Sequence, residues 1–319
     1  MDIGLSKVYE LASRSSRVAV VGAIITFGIF DLISFELPLS GQIVIAVIAL
    51  LIGIPHGAID HLITIPRESR LRFVTFIIFY VLLAVAAGFA IATWNQIGFQ
   101  LILIISALHF GFGDGAFKSE WNDSRGITKD GFLKVCAYAL PAGFLPVILP
   151  LTDSRSLSAL NRINPEIANW SGSINQTLRN ITLALALIGL LLLLITKNFQ
   201  AALDLLLLLI LSLLAPPLIA FAVYFGCWHA VRHTARLVPK LPKALIFARS
   251  AEPLKAFKSA VIPGLYAVFG TILLAVGLMV FRPEYFDTGL LWTILVILWA
   301  LTIPHMLTTA KFDLRNFSR

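Results

Sequence analysis

The stretch LIAFAVYFGCWHAVRHTARLVPK, residues 218–240, begins with an uncharged apolar run and ends in Arg232, Arg236 and Lys240, with His229 and His233 between. An apolar run closed by basic residues reads as a helix that crosses a bilayer and reaches the cytoplasmic surface. The same pattern recurs along the chain. Of 319 residues, 58% are hydrophobic and 13% charged, and the mean hydropathy is +0.89. A soluble domain does not tolerate that balance. The expected fold is all-α, a polytopic transmembrane helical bundle. Without a long linker, low-complexity tract or internal repeat, residues 1–319 read as a single integral membrane domain.

Ten spans are expected, at about 17–37, 41–64, 72–94, 97–118, 130–150, 176–197, 200–214, 217–237, 258–281 and 288–310. The seventh is short and ends at Pro216–Pro217. No small-residue cleavage site follows the run from Val18, so the first span is read as uncleaved. The 25 Lys and Arg residues orient the map. With the N-terminus in the cytoplasm, only Arg155, Arg162, Arg179 and Arg282 fall to the outside, and Arg232 is the basic residue that lies deepest within a span, the others being at or near span ends. The positive-inside rule therefore sets both termini in the cytoplasm, for a multi-pass protein of the cell (inner) membrane. It also accounts for the net charge of +8 by topology, so no nucleic-acid partner is expected.

The chain has six histidines, and all lie in spans two, four, eight and ten. They are His56 and His61 in IGIPHGAIDHLI (52–63), His109 in ISALHFGFGD (105–114), His229 and His233, and His305 in LTIPHMLTT (301–309). Each of these spans runs from outside to inside, and each histidine precedes the basic end by a few turns. All six are thus expected at one depth in the cytoplasmic half of the membrane. Polar side chains in hydrocarbon are costly and tend to be functional, and grouped imidazoles most often bind a metal.

His229 and His233 are spaced i, i+4 and share a helix face, so they can chelate one ion; the plainer reading is a hydrogen-bonded core pair. His56 and His61 lie about 140° apart around a helix, so His56 is taken as the ligand and His61 as an orienting neighbour. Asp60, four residues after His56, is expected to orient an imidazole or to pair with Arg232. Asp114 is a further orienting candidate, unless it is simply solvated near the surface. His305 follows Pro304 as His56 follows Pro55; it is placed among the orienting residues, with a ligand role open. Gly111, Gly113 and Gly115 suit close helix approach or local unwinding. Phe110, Tyr224, Phe225 and Trp228 are expected either to pack or to wall a tunnel for a long apolar substrate. Cys136 and Cys227 read as buried thiols, Cys227 with a rare ligand role open.

A histidine-rich site with little sulfur suits iron, copper or zinc. No nucleophile motif, HExxH or carboxylate dyad accompanies it. Four segments carry a resemblance: GIPHGAIDHL (53–62), SALHFGFGD (106–114), WHAVRH (228–233) and IPHMLTT (303–309). Together, and in this order, they resemble the Brp/Blh family of membrane-bound β-carotene dioxygenases. The resemblance implies Fe(II) held by His56, His109, His229 and His233, with O₂ as co-substrate. It also implies central cleavage of β-carotene to two molecules of all-trans-retinal, passed to a rhodopsin. Rival readings are a di-iron membrane desaturase or hydroxylase, a histidine-lined metal or proton transporter, and a haem protein with paired axial histidines. Di-iron sites need about eight ligands, and the outer halves of the histidine spans are too apolar for an ion pathway.

Overall fold

The computed structural model describes residues 2–60, 62, 69–128, 131–281 and 284–317. For residues 274, 275, 278, 279, 284–291, 311, 312 and 314–317 it describes the backbone alone. The described residues form helices joined by short turns, without a strand. In chain order the helices are α1 (Ile3–Leu32), α2 (Leu39–Gly57), α3 (Arg70–Thr93), α4 (Asn95–Ser124) and α5 (Phe132–Val147). Two short helices follow, α6 (Arg155–Ile163) and α7 (Pro165–Ala168), then α8 (Asn175–Ile195) and α9 (Phe199–Leu214). The stretch that opened the sequence reading is α10 (Pro217–Ala222), a wide π-type turn over Val223–His229, and α11 (Ala230–Leu237). The chain ends in α12 (Pro242–Arg249), α13 (Pro253–Val261), α14 (Leu265–Phe281) and α15 (Glu284–Phe317).

Seven helical stretches among the described residues are long and apolar enough to cross a membrane. They lie within α1, α2, α3, α4, α8, the α13–α14 unit and α15. The described residues of each of the ten expected spans are mostly helical. Three are too short or interrupted: α5 and α9 have 16 residues each, about 24 Å of helix against a hydrocarbon core of about 30 Å. The third, 217–237, is broken by the π-type turn. Large apolar side chains crowd the outside, such as Val18, Phe79, Leu82, Val85, Phe89 and Phe269, each more than half exposed. A water-soluble protein does not display so broad an apolar surface, whereas lipid solvates it.

Helix α1 departs from the expected boundaries. It begins at Ile3 rather than near residue 17, capped by the Asp2 carboxylate, which accepts from the Leu5 N–H at 3.0 Å. It ends at Leu32, where the chain turns through Ser34 at φ +52° before Pro38. Its early residues Val8, Tyr9 and Ala12 are buried against α4, α11, α12 and α13, so tertiary packing holds a polar start that hydropathy does not mark.

Two glycines let α4 and α5 cross backbone to backbone. A β-carbon on Gly111 would run into the Ala139 carbonyl, and one on Gly143 into the Ala107 carbonyl. This reciprocal approach gives the glycine run its packing role. The other alternative, unwinding, is not seen: α4 is continuous from Asn95 to Ser124. The contact fixes His109, two residues before Gly111, against the bundle interior.

Candidate metal centre and substrate cavity

Five helical segments deliver five imidazoles to one place. His56 ends α2, His109 is midway along α4, His229 closes the π-type turn, His233 lies in α11 and His305 in α15. All five are buried. His56 is 5.5, 5.1 and 5.4 Å between ring centroids from His229, His233 and His305. His109 is 5.4, 6.5 and 5.2 Å from the same three. His233 is 5.8 Å from His229 and 5.6 Å from His305. The sixth histidine, His61, lies outside the described residues.

The spacing can be tested against a metal. An imidazole nitrogen bound at about 2.1 Å puts two rings on one ion roughly 4.5–6.5 Å apart between centroids. The cluster has that spacing. It is not a finished shell: among the described residues no three His, Cys, Asp or Glu donors stand ready to hold an ion. The ring nitrogens give the reason to expect one. His109 Nε2, both nitrogens of His229, both of His233 and His305 Nε2 are buried without a hydrogen-bond partner among the described residues. Each such atom costs about 1–3 kcal/mol if left alone. A cation shared by these rings would satisfy one nitrogen of each, and neutral imidazoles with little sulfur suit a first-row transition metal.

In His56, His109 and His305 the second ring nitrogen is held from outside the cluster. His56 Nδ1 faces the Gly53 carbonyl, one turn back in α2. His305 Nδ1 lies 2.9 and 3.1 Å from the two Asp60 oxygens. His109 Nδ1 lies 3.3 Å from the Thr309 hydroxyl, whose proton goes to the His305 carbonyl at 3.0 Å. Assigning the N–H to Nδ1 in all three leaves the Nε2 lone pairs for a ligand, the usual tautomer logic of metal-bound histidine. His229 Nδ1 stands 3.5 Å from Asp114 Oδ1. The other Asp114 oxygen accepts from Tyr224 O–H at 3.1 Å and Trp228 Nε1–H at 2.9 Å.

These contacts rearrange several expected roles. Asp60 meets neither His56 nor Arg232 but His305, 245 residues away. His56 satisfies its own N–H locally, and Arg232 is taken by Asp204 at 3.1 Å, Tyr138 at 3.3 Å and Ser16 at 3.0 Å. Asp114 is 1% exposed, so it is not a solvated surface carboxylate. Tyr224 and Trp228 are fully buried with their polar tips on Asp114 and do not line the cavity described next. Cys136 and Cys227 are free thiols and only half-buried, where buried thiols were expected. Gly113 faces the site: a β-carbon there would stand 3.1 Å from His229 Cε1.

A cavity of about 380 Å³ opens onto His56, His109 and His305, within the usual range for a bound small molecule. Its walls are apolar apart from Asp60, Tyr80 and a few hydroxyls. One limb follows α4 from Phe99 to His109 and α15 from Leu295 to His305, about 15 Å along each helix. Beyond Phe99 it meets Pro150, Leu160, Ile163 and Ile167 of the α5–α7 connection. Another wall is made by Phe76, Ile77 and Tyr80 of α3 with Ala267 and Thr271 of α14. Its α3 neighbours Ile78, Phe79, Val81 and Leu82, which do not line the cavity, are each more than half exposed, so α3 separates this wall from the lipid-facing surface. Of the four expected wall residues, Phe110 and Phe225 do line the cavity. Phe225 stacks on Phe221 at 5.8 Å, and Phe110 packs 4.6 Å from the His229 ring.

A histidine cluster at the end of an apolar cavity inside a membrane bundle is the setting in which the comparisons carry weight. The family model for beta-carotene 15,15'-dioxygenase matches residues 47–313. The chain belongs to that family. A curated relative, the beta-carotene 15,15'-dioxygenase of uncultured marine bacterium 66A03, is 28% identical over 269 residues. The match covers 80% of this chain and 88% of the relative. No solved structure matches. The matched region begins before His56 and ends after His305, so it contains the whole cluster and most of the cavity walls.

Sequence reasoning missed Thr309, Tyr80 and the Gly53 carbonyl. Thr309 was legible in part, because it sits four residues after His305 on the same helix face. Tyr80 reaches the site only through the packing of α3 on α15, where its O–H donates to the Leu301 carbonyl at 3.2 Å.

Proposed function

We propose that this chain is a β-carotene 15,15'-dioxygenase that uses one Fe(II) and O₂ to split β-carotene at its central double bond into two all-trans-retinal molecules. The observation that carries this reading is a buried group of imidazoles with unpartnered nitrogens on the wall of an apolar intramembrane cavity. Family membership supports carotenoid cleavage; the iron, the position of the cut and the product are our reading.

His56, His109, His229 and His233 are the proposed ligands. Iron bound there would activate O₂ for addition to the alkene, and both oxygen atoms end in aldehydes, so no external reductant is needed. The protein's part is placement. Phe110, Phe221 and Phe225 form an aromatic wall beside the histidines against which a flat polyene can lie. The limb along α4 and α15 takes one half of the chain, and the gap beside α3 and α14 takes the other. The central double bond then rests at the histidines. Asp114, held by Tyr224 and Trp228, stands 3.5 Å from His229 Nδ1 and would draw in closer to orient that ring when the ion is bound. Burial keeps water from the reacting carbons.

Substrate enters laterally from the bilayer, and retinal returns to it, where a retinal-binding membrane protein such as a rhodopsin would take it up. The proposed location is the cell (inner) membrane, with ten crossings and both termini cytoplasmic. Expression in β-carotene-producing bacteria tests the reading: colour should fade as retinal accumulates. Colour retained at full protein expression, or the appearance of unequal apocarotenals, would contradict it.

A further inference from the structure

Resting on the iron reading above, we infer that His305, held by Asp60, is a fifth ligand to the metal and not only a neighbour of the ligands. Its ring lies 5.2, 5.4 and 5.6 Å from those of His109, His56 and His233. Those separations fall among the values within the other four histidines, so position does not set His305 apart. Its nitrogens are already sorted for the task. Nδ1 faces Asp60, and Nε2 is buried with no partner among the described residues. A metal-bound histidine ordinarily shows this arrangement, with one nitrogen on a carboxylate and the other on the ion.

The surroundings are shaped to hold that ring. A β-carbon at Gly57 would stand 3.3 Å from His305 Nδ1, so the absent side chain leaves it room. Asp60 is 2% exposed, and its recorded ion-pair partner among the described residues is His305. A buried carboxylate needs a positive charge close by. A divalent ion on the far side of the imidazole supplies it through His305. Asp114 Oδ1 stands 3.5 Å from His229 Nδ1, a looser approach without a hydrogen bond, so a second carboxylate lies one ring away from the proposed ion. His305 also lines the cavity, as His56 and His109 do, whereas His229 and His233 do not. Five nitrogen ligands leave fewer positions for O₂ than four, and His305 helps decide on which side of the ion the oxygen meets the polyene.

X-ray absorption on the purified, iron-loaded full chain counts imidazoles directly. The wild type should show about five, and His305→Gln about four, with Fe(II) affinity down at least 10-fold by metal titration. Asp60→Asn should keep the count and weaken the affinity less. Five in the wild type with an unchanged spectrum in His305→Gln overturns the inference, as does a wild-type count of four. A wild type that binds no iron overturns the iron reading as well, so the two failures are distinguishable. If His305→Gln does not fold, the wild-type count still decides.

Discussion

Asp204→Ala is expected to carry a large structural cost without touching a histidine. Asp204 is 2% exposed and gathers three cations: Arg17 Nε at 2.7 Å, Arg232 Nη1 at 3.1 Å and Lys118 Nζ at 3.6 Å. Arg232 is fully buried, with its guanidinium 3.5 Å from the centre of the Trp228 ring. Tyr138 and Ser16 supply hydroxyl oxygens but no counter-charge. Removing the carboxylate strands a buried cation, which costs about 3–5 kcal/mol, or a factor of roughly 10² to several thousand in the folding equilibrium. The effect should reach the site, because Arg232 precedes His233 and stacks on Trp228, which donates to Asp114 beside His229. Denaturant unfolding of the detergent-solubilised protein gives the stability, and metal analysis gives the iron. The double variant Asp204→Ala, Arg232→Met should recover most of the loss, since an apolar replacement for a buried pair is close to neutral. A single variant within about 0.5 kcal/mol of wild type, the range of ordinary surface changes, would refute the reasoning.

Three other outcomes are expected. Tyr224→Phe removes one of two donors to Asp114 and should cost about 0.5–1.5 kcal/mol of stability while iron is retained; complete loss of iron by metal analysis would show a larger role. Ile163→Trp fills the limb beyond Phe99 and should slow β-carotene cleavage or shift the cut off centre, read by chromatography of the aldehydes; an untouched rate and product pattern would place the polyene elsewhere. Reporter fusions at residues 160 and 245 should report opposite sides of the membrane, and finding both on one side would sink the ten-span frame.

The helical segments and the meeting of the histidines were legible because both depend on local pattern. Hydropathy marks a run such as 72–94 wherever it packs, and five histidines from four apolar runs have few low-cost places to go other than one another. What was not legible depends on distant partners. Asp60 was assigned to His56 by helix spacing, but His56 turns its Nδ1 back to the Gly53 carbonyl and leaves Asp60 for His305. Arg232 was considered for Asp60, yet α9 brings Asp204 to it. Tyr224 and Trp228 looked like tunnel walls because they are aromatic and near His229. The π-type turn over Val223–His229 and a hydrogen-bonding carboxylate on α4 turn both tips inward instead. The start of α1 was hidden for a related reason: its buried residues are spaced for packing against α12 and α13, not for lipid.

The most direct test of the central claim is an Fe(II) back-titration of metal-depleted protein, with retinal formed per β-carotene consumed as the readout. The account predicts no product without iron, activity that saturates at one iron per chain without added reductant, and two retinal molecules for each β-carotene. Saturation at two irons per chain, a requirement for reductant, or full activity in the metal-free protein would contradict it.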